Sequence, residues 1–144
     1  MLHVTSTKIF EFAYAHRLPS YRGKCGNIHG HTAKVEITVA AAAGPRYPGI
    51  TADFHDIKAK IGPIVEELDH RYLNDVLVHA GRDWVAANLE QVEDEDGTPV
   101  FAPTAENMVR WFKVRIEQEW PEAEVVKIRF WESPSSYCEW SKSG

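Results

Sequence analysis

Two stretches of strictly alternating side chains constrain the fold of this chain more than any other feature. In the first stretch, the residues of one parity are Phe10, Phe12, Tyr14 and His16. In the second, they are His29, His31, Ala33, Val35, Ile37 and Val39. Side chains of a β-strand alternate between its two faces, so each stretch predicts a strand with one apolar face. The first strand is predicted to end at a histidine, and the second to begin at a histidine pair.

The turn-rich segment between these strands predicts an antiparallel hairpin that brings three histidines together. His29 and His31 share one face, roughly 6 to 7 Å apart along the strand, and His16 ends the neighbouring strand. Three neutral imidazoles that leave a fourth position open are typical of a catalytic zinc site. The alternative interpretation is a surface pair and an ordinary buried histidine.

Two helices and two further strands complete the predicted order ββααββ, an α+β fold. Asp53 is predicted to cap the first helix, whose apolar residues recur at spacings of three and four: Phe54, Ile57, Ile61, Ile64, Val65 and Leu68. Pro63 is expected to kink or split this helix. The second helix is predicted to begin after Thr104 and to end at Pro121. The last two strands are YCEWS and, before it, VVKIRFWE, one face of which carries Val126, Ile128, Phe130 and Glu132.

The segment 76–103 fits this pattern least well. It contains the acidic run VEDEDG, in which Asp96 and Gly97 indicate a turn. We predict an inserted loop or hairpin within a single domain that spans residues 1–144.

The net charge of −5 at pH 7 argues against a nucleic-acid partner, because such proteins need an excess of lysine and arginine. No apolar run is long enough to cross a bilayer. The N-terminal residues show no secretory signal, so we expect a cytoplasmic protein with a small-molecule partner.

Cys25 and Cys138 are the two cysteines, too few for a disulfide framework. Cys25 lies four residues before His29, within reach of a metal at the histidines. Two functional roles compete for it: a fourth zinc ligand, or a thiol that moves a proton on the substrate. The third interpretation is an ordinary loop cysteine.

Three acidic or basic side chains are further candidates. Asp69 and His70 are adjacent, and a carboxylate beside an imidazole can relay protons, although such a pair at a helix end is more often a solvated or capping feature. Glu132 continues an inward parity, where an unpaired carboxylate is costly. Its partner is expected to be an arginine or lysine of the protein, or the guanidine-like edge of a bound heterocycle.

Five separated motifs resemble one known family. They are FAYAHRLP, CGNIHGH, LDHRYLND, PTAEN and the strand that carries WES. In this order they are similar to the 6-carboxytetrahydropterin and 6-pyruvoyltetrahydropterin synthases. The resemblance implies the tunnelling fold, a four-stranded antiparallel sheet with two helices on one face. It also implies trimers whose sheets close a barrel, hexamers of two trimers, and sites built between subunits.

The resemblance assigns roles residue by residue. His16, His29 and His31 are expected to bind zinc, and Cys25 to be the catalytic thiol. Asp69 and His70 are expected to be its relay partners. The pterin substrate is expected to be held by Glu132, its anchor, and by Thr104 and Glu106.

The spacing of three residues between Cys25 and His29 resembles the 6-carboxy branch, which feeds deazaguanine and queuosine synthesis. That branch converts 7,8-dihydroneopterin triphosphate to 6-carboxy-5,6,7,8-tetrahydropterin with release of acetaldehyde and triphosphate. Arg17, Arg22 and Lys24 are candidates for contacting the triphosphate, or are simply solvated charges. The long segment 76–103 departs from this branch.

Three alternative functions stay open at this level. They are 6-pyruvoyltetrahydropterin synthase activity, a non-catalytic domain with a closed Cys-His3 zinc site, and a zinc hydrolase that uses a metal-bound hydroxide.

Overall fold

A computed structural model describes residues 1–79 and 87–143 of the chain, without the side chains of residues 78 and 79. The strands are β1 (Ser6–His16), β2 (His29–Ala42), β3 (Arg71–Tyr72), β4 (Gln91–Glu93), β5 (Pro99–Phe101), β6 (Ala123–Ser133) and β7 (Ser136–Ser141). The helices are α1 (Phe54–Glu66), α2 (Leu73–His79) and α3 (Ala105–Glu119), and a single 3₁₀ turn spans Lys24–Gly26.

The main sheet has the strand order β3-β1-β2-β6-β7. Its four long strands pair antiparallel, as the alternating segments predict. The fifth strand, β3, is two residues long and pairs parallel with β1. Sequence reasoning predicted neither β3 nor α2, because both are too short to show a periodic pattern.

One face of this sheet carries the core, and α1 and α3 cover it. The inward residues Ala33, Val35 and Ile37 of β2 are fully buried, in one cluster with Ile57 of α1 and Phe112 of α3. The predicted α+β class, with two helices on one face of a four-stranded sheet, is therefore confirmed.

Both helices begin where the sequence predicts. The Asp53 side chain accepts a hydrogen bond from His55 N at 2.8 Å, and Thr104 Oγ1 accepts one from Asn107 N at 3.1 Å. These bonds satisfy N–H groups that have no partner within the helix. Helix α1 continues through Pro63 and is not split. Phe54, predicted as an apolar contact, is 57% exposed.

A β-bulge corrects the predicted inward face of β6. The pairing passes from Thr38 opposite Lys127 to Val39 opposite Val125, which leaves Val126 as the extra residue. As a result, Val125 packs against the core where the alternation predicted Val126.

The inserted segment 76–103 includes residues 80–86, which lie outside the described residues. Its later part forms the β4–β5 hairpin. At the tip, the Asp94 carboxylate accepts hydrogen bonds from Asp96 N and Thr98 N, and Gly97 has a positive φ of 77°. A left-handed turn of this kind favours glycine. Among the described residues, no helix is long and apolar enough to span a membrane.

Candidate metal and substrate site

The β1–β2 pairing register brings the three predicted histidines together. His16 lies opposite His29, and His31 lies opposite Tyr14, two pairs further along and on the same face. One ring nitrogen from each of the three histidines lies within 4.8 Å of the others. His16 is 1% exposed, whereas His29 and His31 are half-buried. The group therefore lies where the core meets the end of the sheet.

Backbone carbonyls orient two of these imidazoles. His16 Nδ1 donates to Pro103 O at 2.8 Å, and His29 Nδ1 donates to Asn27 O at 2.7 Å. A carbonyl oxygen can only accept, so both Nδ1 atoms carry the proton. In the neutral rings, both Nε2 atoms then present lone pairs, and these two atoms are 3.1 Å apart. Two lone pairs at this distance repel each other unless a proton or a metal ion lies between them.

Burial keeps His16 and His31 in the form that binds a metal. Removal from water and, to a smaller extent, the neighbouring histidines lower the pKa of His16 to about 4, although its hydrogen bond to Pro103 acts in the opposite direction. Burial also lowers the pKa of His31. His31 Nε2 is buried and has no hydrogen-bond partner. A metal ion would satisfy this atom and the facing lone pairs.

The closest pair of donors is separated by about the distance expected on zinc. Two imidazole nitrogens on a tetrahedral zinc ion lie about 3.3 Å apart, given zinc–nitrogen bonds of about 2.0 to 2.1 Å. His16 Nε2 and His29 Nε2 lie close to that separation at 3.1 Å. Among the described residues, Cys25 does not join the group of donors. The donor group of the described residues therefore consists of three histidines, which favours a site with an open fourth position over a closed Cys-His3 site.

A cavity of about 540 Å³ adjoins this group and brings together four of the predicted site residues. Cys25 enters from the 3₁₀ turn between β1 and β2, Thr104 and Glu106 from the start of α3, and Glu132 from the end of β6. These residues come from three distant parts of the sequence. The cavity is large enough to take part of a drug-sized molecule.

Glu132 links the cavity to the histidine group. Its Oε1 atom lies 3.8 Å from His31 Nε2, and its side chain is 33% exposed. In the part of the chain that the structure describes, no lysine or arginine forms an ion pair with it. A lysine or arginine partner for this carboxylate is thus not observed among the described residues, and the bound heterocycle stays a prediction.

Asp69 and His70 form a pair, but they do not line this cavity. Asp69 Oδ1 lies 3.0 Å from His70 Nδ1 and accepts a hydrogen bond from Ala13 N at 3.0 Å. That backbone bond, and then His70, lower the pKa of Asp69. The pair precedes β3, three strand spacings or about 14 Å from β6. Within one chain, these two residues therefore lie near the β3 edge of the sheet, away from Glu132 on β6.

The basic residues of the β1–β2 loop are also absent from the cavity lining. Arg17 instead forms an ion pair with Glu95 of the β4–β5 hairpin. Its side chain is therefore paired within the chain, and its contact with a triphosphate stays a prediction.

Sequence reasoning missed Cys138 as a cavity residue. Its Sγ donates to Glu106 Oε1 at 2.8 Å, and it lines the same cavity as Cys25 and Glu132. Burial, and then Glu106, raise the pKa of the thiol to about 12. The β6–β7 register places Cys138 opposite Phe130, which faces inward. Pairing the last two predicted strands through a tight turn would have revealed this placement.

Comparison with known proteins places the chain among pterin enzymes. The family described as 6-pyruvoyl tetrahydropterin synthase matches residues 5–143. The chain is 28% identical to the 6-carboxy-5,6,7,8-tetrahydropterin synthase of Haemophilus influenzae, over 94% of this chain and 97% of that protein. It is 32% identical to the enzyme of the same name from Aquifex aeolicus, over 83% and 76% of the two chains.

A solved structure shows the same fold. The 6-pyruvoyl tetrahydropterin synthase of Caenorhabditis elegans superposes with a TM-score of 0.69 at 20% identity, covering 97% of this chain and 96% of that one.

Proposed function

Since this chain belongs to the 6-pyruvoyl tetrahydropterin synthase family, we propose that it is a zinc-dependent lyase of the 6-carboxy branch. It converts 7,8-dihydroneopterin triphosphate and water to 6-carboxy-5,6,7,8-tetrahydropterin, acetaldehyde and triphosphate. One observation carries this proposal: Glu132 lies 3.8 Å from His31 of the histidine group and also lines the cavity that contains Cys25. A substrate held by Glu132 therefore lies between a metal and a thiol.

The three histidines hold the zinc ion. His16 and His29 are oriented by their bonds to Pro103 O and Asn27 O, which support the ligands as backbone carbonyls commonly do in zinc proteins. When bound, zinc supplies Lewis acidity toward the oxygens of the substrate side chain. The ordinary alternative of a buried histidine beside a surface pair does not explain the unpartnered His31 Nε2.

The carboxylates and the hydroxyl of the cavity hold the pterin ring. Glu132 accepts two hydrogen bonds from the guanidine-like N–H edge of the ring, in the bidentate geometry that carboxylates favour. Thr104 and Glu106 contact the same ring from the start of α3, where both line the cavity. Since no arginine or lysine pairs with Glu132 among the described residues, its carboxylate is available for this role.

Cys25 removes and returns the proton on the carbon next to a polarised oxygen of the side chain. This use of the thiol separates the proposal from a zinc hydrolase, which needs only a metal-bound hydroxide. The position of Cys25 in the cavity wall, outside the group of metal donors, supports a proton-transfer role over ligation.

Asp69 and His70 complete the site of a neighbouring subunit. They lie at the β3–β1 side of the sheet, whereas Glu132 lies on β6 towards the other side. The outer edge of β7 has no strand partner among the described residues, and an exposed edge of this kind commonly pairs with another chain. An assembly that joins these two edges brings the Asp69–His70 pair of one copy towards Cys25 of the next, in a trimer or a hexamer of two trimers.

The remaining parts of the proposal follow from this activity. The chain acts as one domain over residues 1–144 in the cytoplasm, and its product serves deazaguanine and queuosine synthesis. The single core cluster of the described residues supports the one-domain interpretation.

The experiment that tests the activity identifies its products. Zinc-loaded protein is incubated with 7,8-dihydroneopterin triphosphate, and the pterin and any acetaldehyde are identified by mass spectrometry. A 6-carboxy pterin with acetaldehyde is the expected result. A 6-pyruvoyl product would assign the chain to the sister activity, and unchanged substrate beside stoichiometric zinc would overturn the proposed lyase.

A further inference from the structure

The inserted β4–β5 hairpin contacts the loop that carries Cys25, and Glu95 makes the contact. We propose that Glu95 is a positioning residue, which holds the Cys25 loop in its reactive arrangement through Arg17 and Ser20. The catalytic part of this inference rests on the proposed function, because it assumes that Cys25 is the reactive thiol. Glu95 belongs to the acidic run VEDEDG, for which the sequence pattern indicates only a turn.

Arg17 is the centre of the contact. Its Nη2 pairs with Glu95 Oε1, and its Nε donates to Gly26 O at 3.1 Å. Its backbone is held from the other side by Asn74 of α2, which accepts from Arg17 N at 3.0 Å and donates to Arg17 O at 2.9 Å. Arg17 thus joins the hairpin, helix α2 and the residue that follows Cys25.

Ser20 provides a second attachment between the hairpin and the loop. Ser20 N donates to Glu95 Oε1 at 3.2 Å, and Ser20 Oγ donates to Glu93 O at 2.6 Å. The φ angle of Ser20 is 60°, a left-handed conformation that a non-glycine residue keeps only when its surroundings impose it. The two bonds to the hairpin, together with the turn that Tyr21 N closes on Leu18 O at 3.2 Å, are those surroundings.

These attachments act on the backbone of Cys25 and of the residue that follows it. Leu18 N donates to Cys25 O at 2.8 Å, and Arg17 Nε donates to the next carbonyl, Gly26 O. The loop is also closely packed at Gly26, where an added Cβ would lie 2.8 Å from Tyr21 O. A shift of Arg17 therefore moves the backbone of Cys25 directly.

The hairpin also forms part of the cavity wall. Val92 of β4 lines the cavity together with Cys25 and Ser20. The inserted segment is consequently a component of the site, and Glu95 connects this segment with the loop that carries the Cys25 thiol.

The ionisation of Glu95 is consistent with this role. Its own backbone N–H, then Ser20 N and Arg17, lower the pKa of the Glu95 carboxyl. Its side chain is 56% exposed, and an exposed ion pair contributes little to global stability. The loss of Glu95 is therefore expected to act locally on the loop while the chain stays folded.

The test compares Glu95→Ala with a matched control, Asp96→Ala, in the full-length zinc-loaded protein. Both variants remove one carboxylate from the same turn, but among the described residues no hydrogen bond or ion pair joins the Asp96 side chain to Arg17 or Ser20. Glu95→Gln serves as the conservative variant, since its amide oxygen can still accept from Arg17. The rate of Cys25 alkylation by iodoacetamide is followed by peptide mass spectrometry, alongside kcat and KM.

We expect Glu95→Ala to raise the Cys25 alkylation rate by about fivefold. This is the change in the local opening equilibrium that corresponds to the largest free energy typical of an exposed ion pair. We also expect a lower kcat with KM close to that of the wild type, because the pterin-holding residues do not move. Glu95→Gln should recover most of both properties, and Asp96→Ala should match the wild type.

Equal Cys25 alkylation in Glu95→Ala and Asp96→Ala overturns the inference, whatever the turnover. If the wild type fails to convert the pterin, but Cys25 is alkylated faster in Glu95→Ala than in Asp96→Ala, the proposed function is refuted and the positioning role stays supported. The two failures are therefore distinguishable.

Discussion

Replacing His31 by alanine should abolish the stabilisation of this protein by zinc. His31 supplies one of three donor nitrogens that lie within 4.8 Å of one another, and its Nε2 is buried without a partner. With two ligands left, the protein would fill only two of the four tetrahedral positions, so we expect stoichiometric zinc binding to be lost. The matched control is His55→Ala, since the His55 side chain is 96% exposed and lies outside the group.

The size of the effect follows from the energy of binding. Zinc at about 100 times its dissociation constant stabilises the folded state by about 2.7 kcal/mol. A chain near 150 residues changes its Tm by about 3 °C per kcal/mol, so the wild type should gain about 8 °C. Without zinc, His31→Ala removes packing but also a buried unsatisfied nitrogen, whose cost of about 1 to 3 kcal/mol offsets that loss. The metal-free variant should therefore stay folded.

The assay is thermal unfolding with and without zinc, after chelation and dialysis, at one fixed protomer concentration. Zinc per chain is measured in parallel by elemental mass spectrometry. The wild type and His55→Ala should show the same zinc-dependent shift, and His31→Ala should show almost none. A His31→Ala protein that keeps one zinc per chain and the full thermal shift would refute the assignment of His31 as a ligand.

Three further predictions concern the cavity. Cys25→Ala should keep one zinc per chain but lose about 100- to 10,000-fold in kcat, the range for a proton-transfer group; undiminished turnover in steady-state assays would exclude the thiol role. Glu132→Gln should raise KM by about 10- to 100-fold with zinc binding unchanged, because a charge-assisted hydrogen bond contributes about 1.5 to 3 kcal/mol; an unchanged KM would contradict the pterin anchor. The Cys138 thiol, with its pKa raised to about 12, should stay protonated at about pH 8 and react with iodoacetamide more slowly than Cys25. Its labelling should accelerate as the pH rises towards 12, and faster labelling of Cys138 than of Cys25 at about pH 8 would contradict its burial against Glu106.

The local features of the fold could be predicted from the residues themselves. The faces of β1 and β2 follow from a period of two, and Asp53 and Thr104 begin their helices because their side chains accept from backbone N–H groups two and three residues ahead. Each of these relations involves neighbours in the chain. The local pattern gave the wrong inward residue at β6, because the bulge there depends on the partner strand and shifts the inward residue from Val126 to Val125.

The candidate site was predictable in its composition but not in its arrangement. The histidine group could be predicted because one hairpin holds all three residues. The carbonyl of Pro103, which orients His16, lies 87 residues away, and Glu95 lies 78 residues from Arg17. Arg17 was a candidate for contacting phosphate, and only its observed partner shows that it is paired within the chain.

The sequence by itself determined which residue types meet at the end of the β1–β2 hairpin, because alternation and a short connection leave one register that keeps the apolar face buried. Tertiary structure alone decided that Cys138 reaches Glu106, that Glu132 has no lysine or arginine partner among the described residues, and that Glu95 of the acidic hairpin pairs with Arg17 of the Cys25 loop. These contacts join segments that are distant along the chain. Their geometry depends on how helices and strands pack around a common core, which no local pattern encodes.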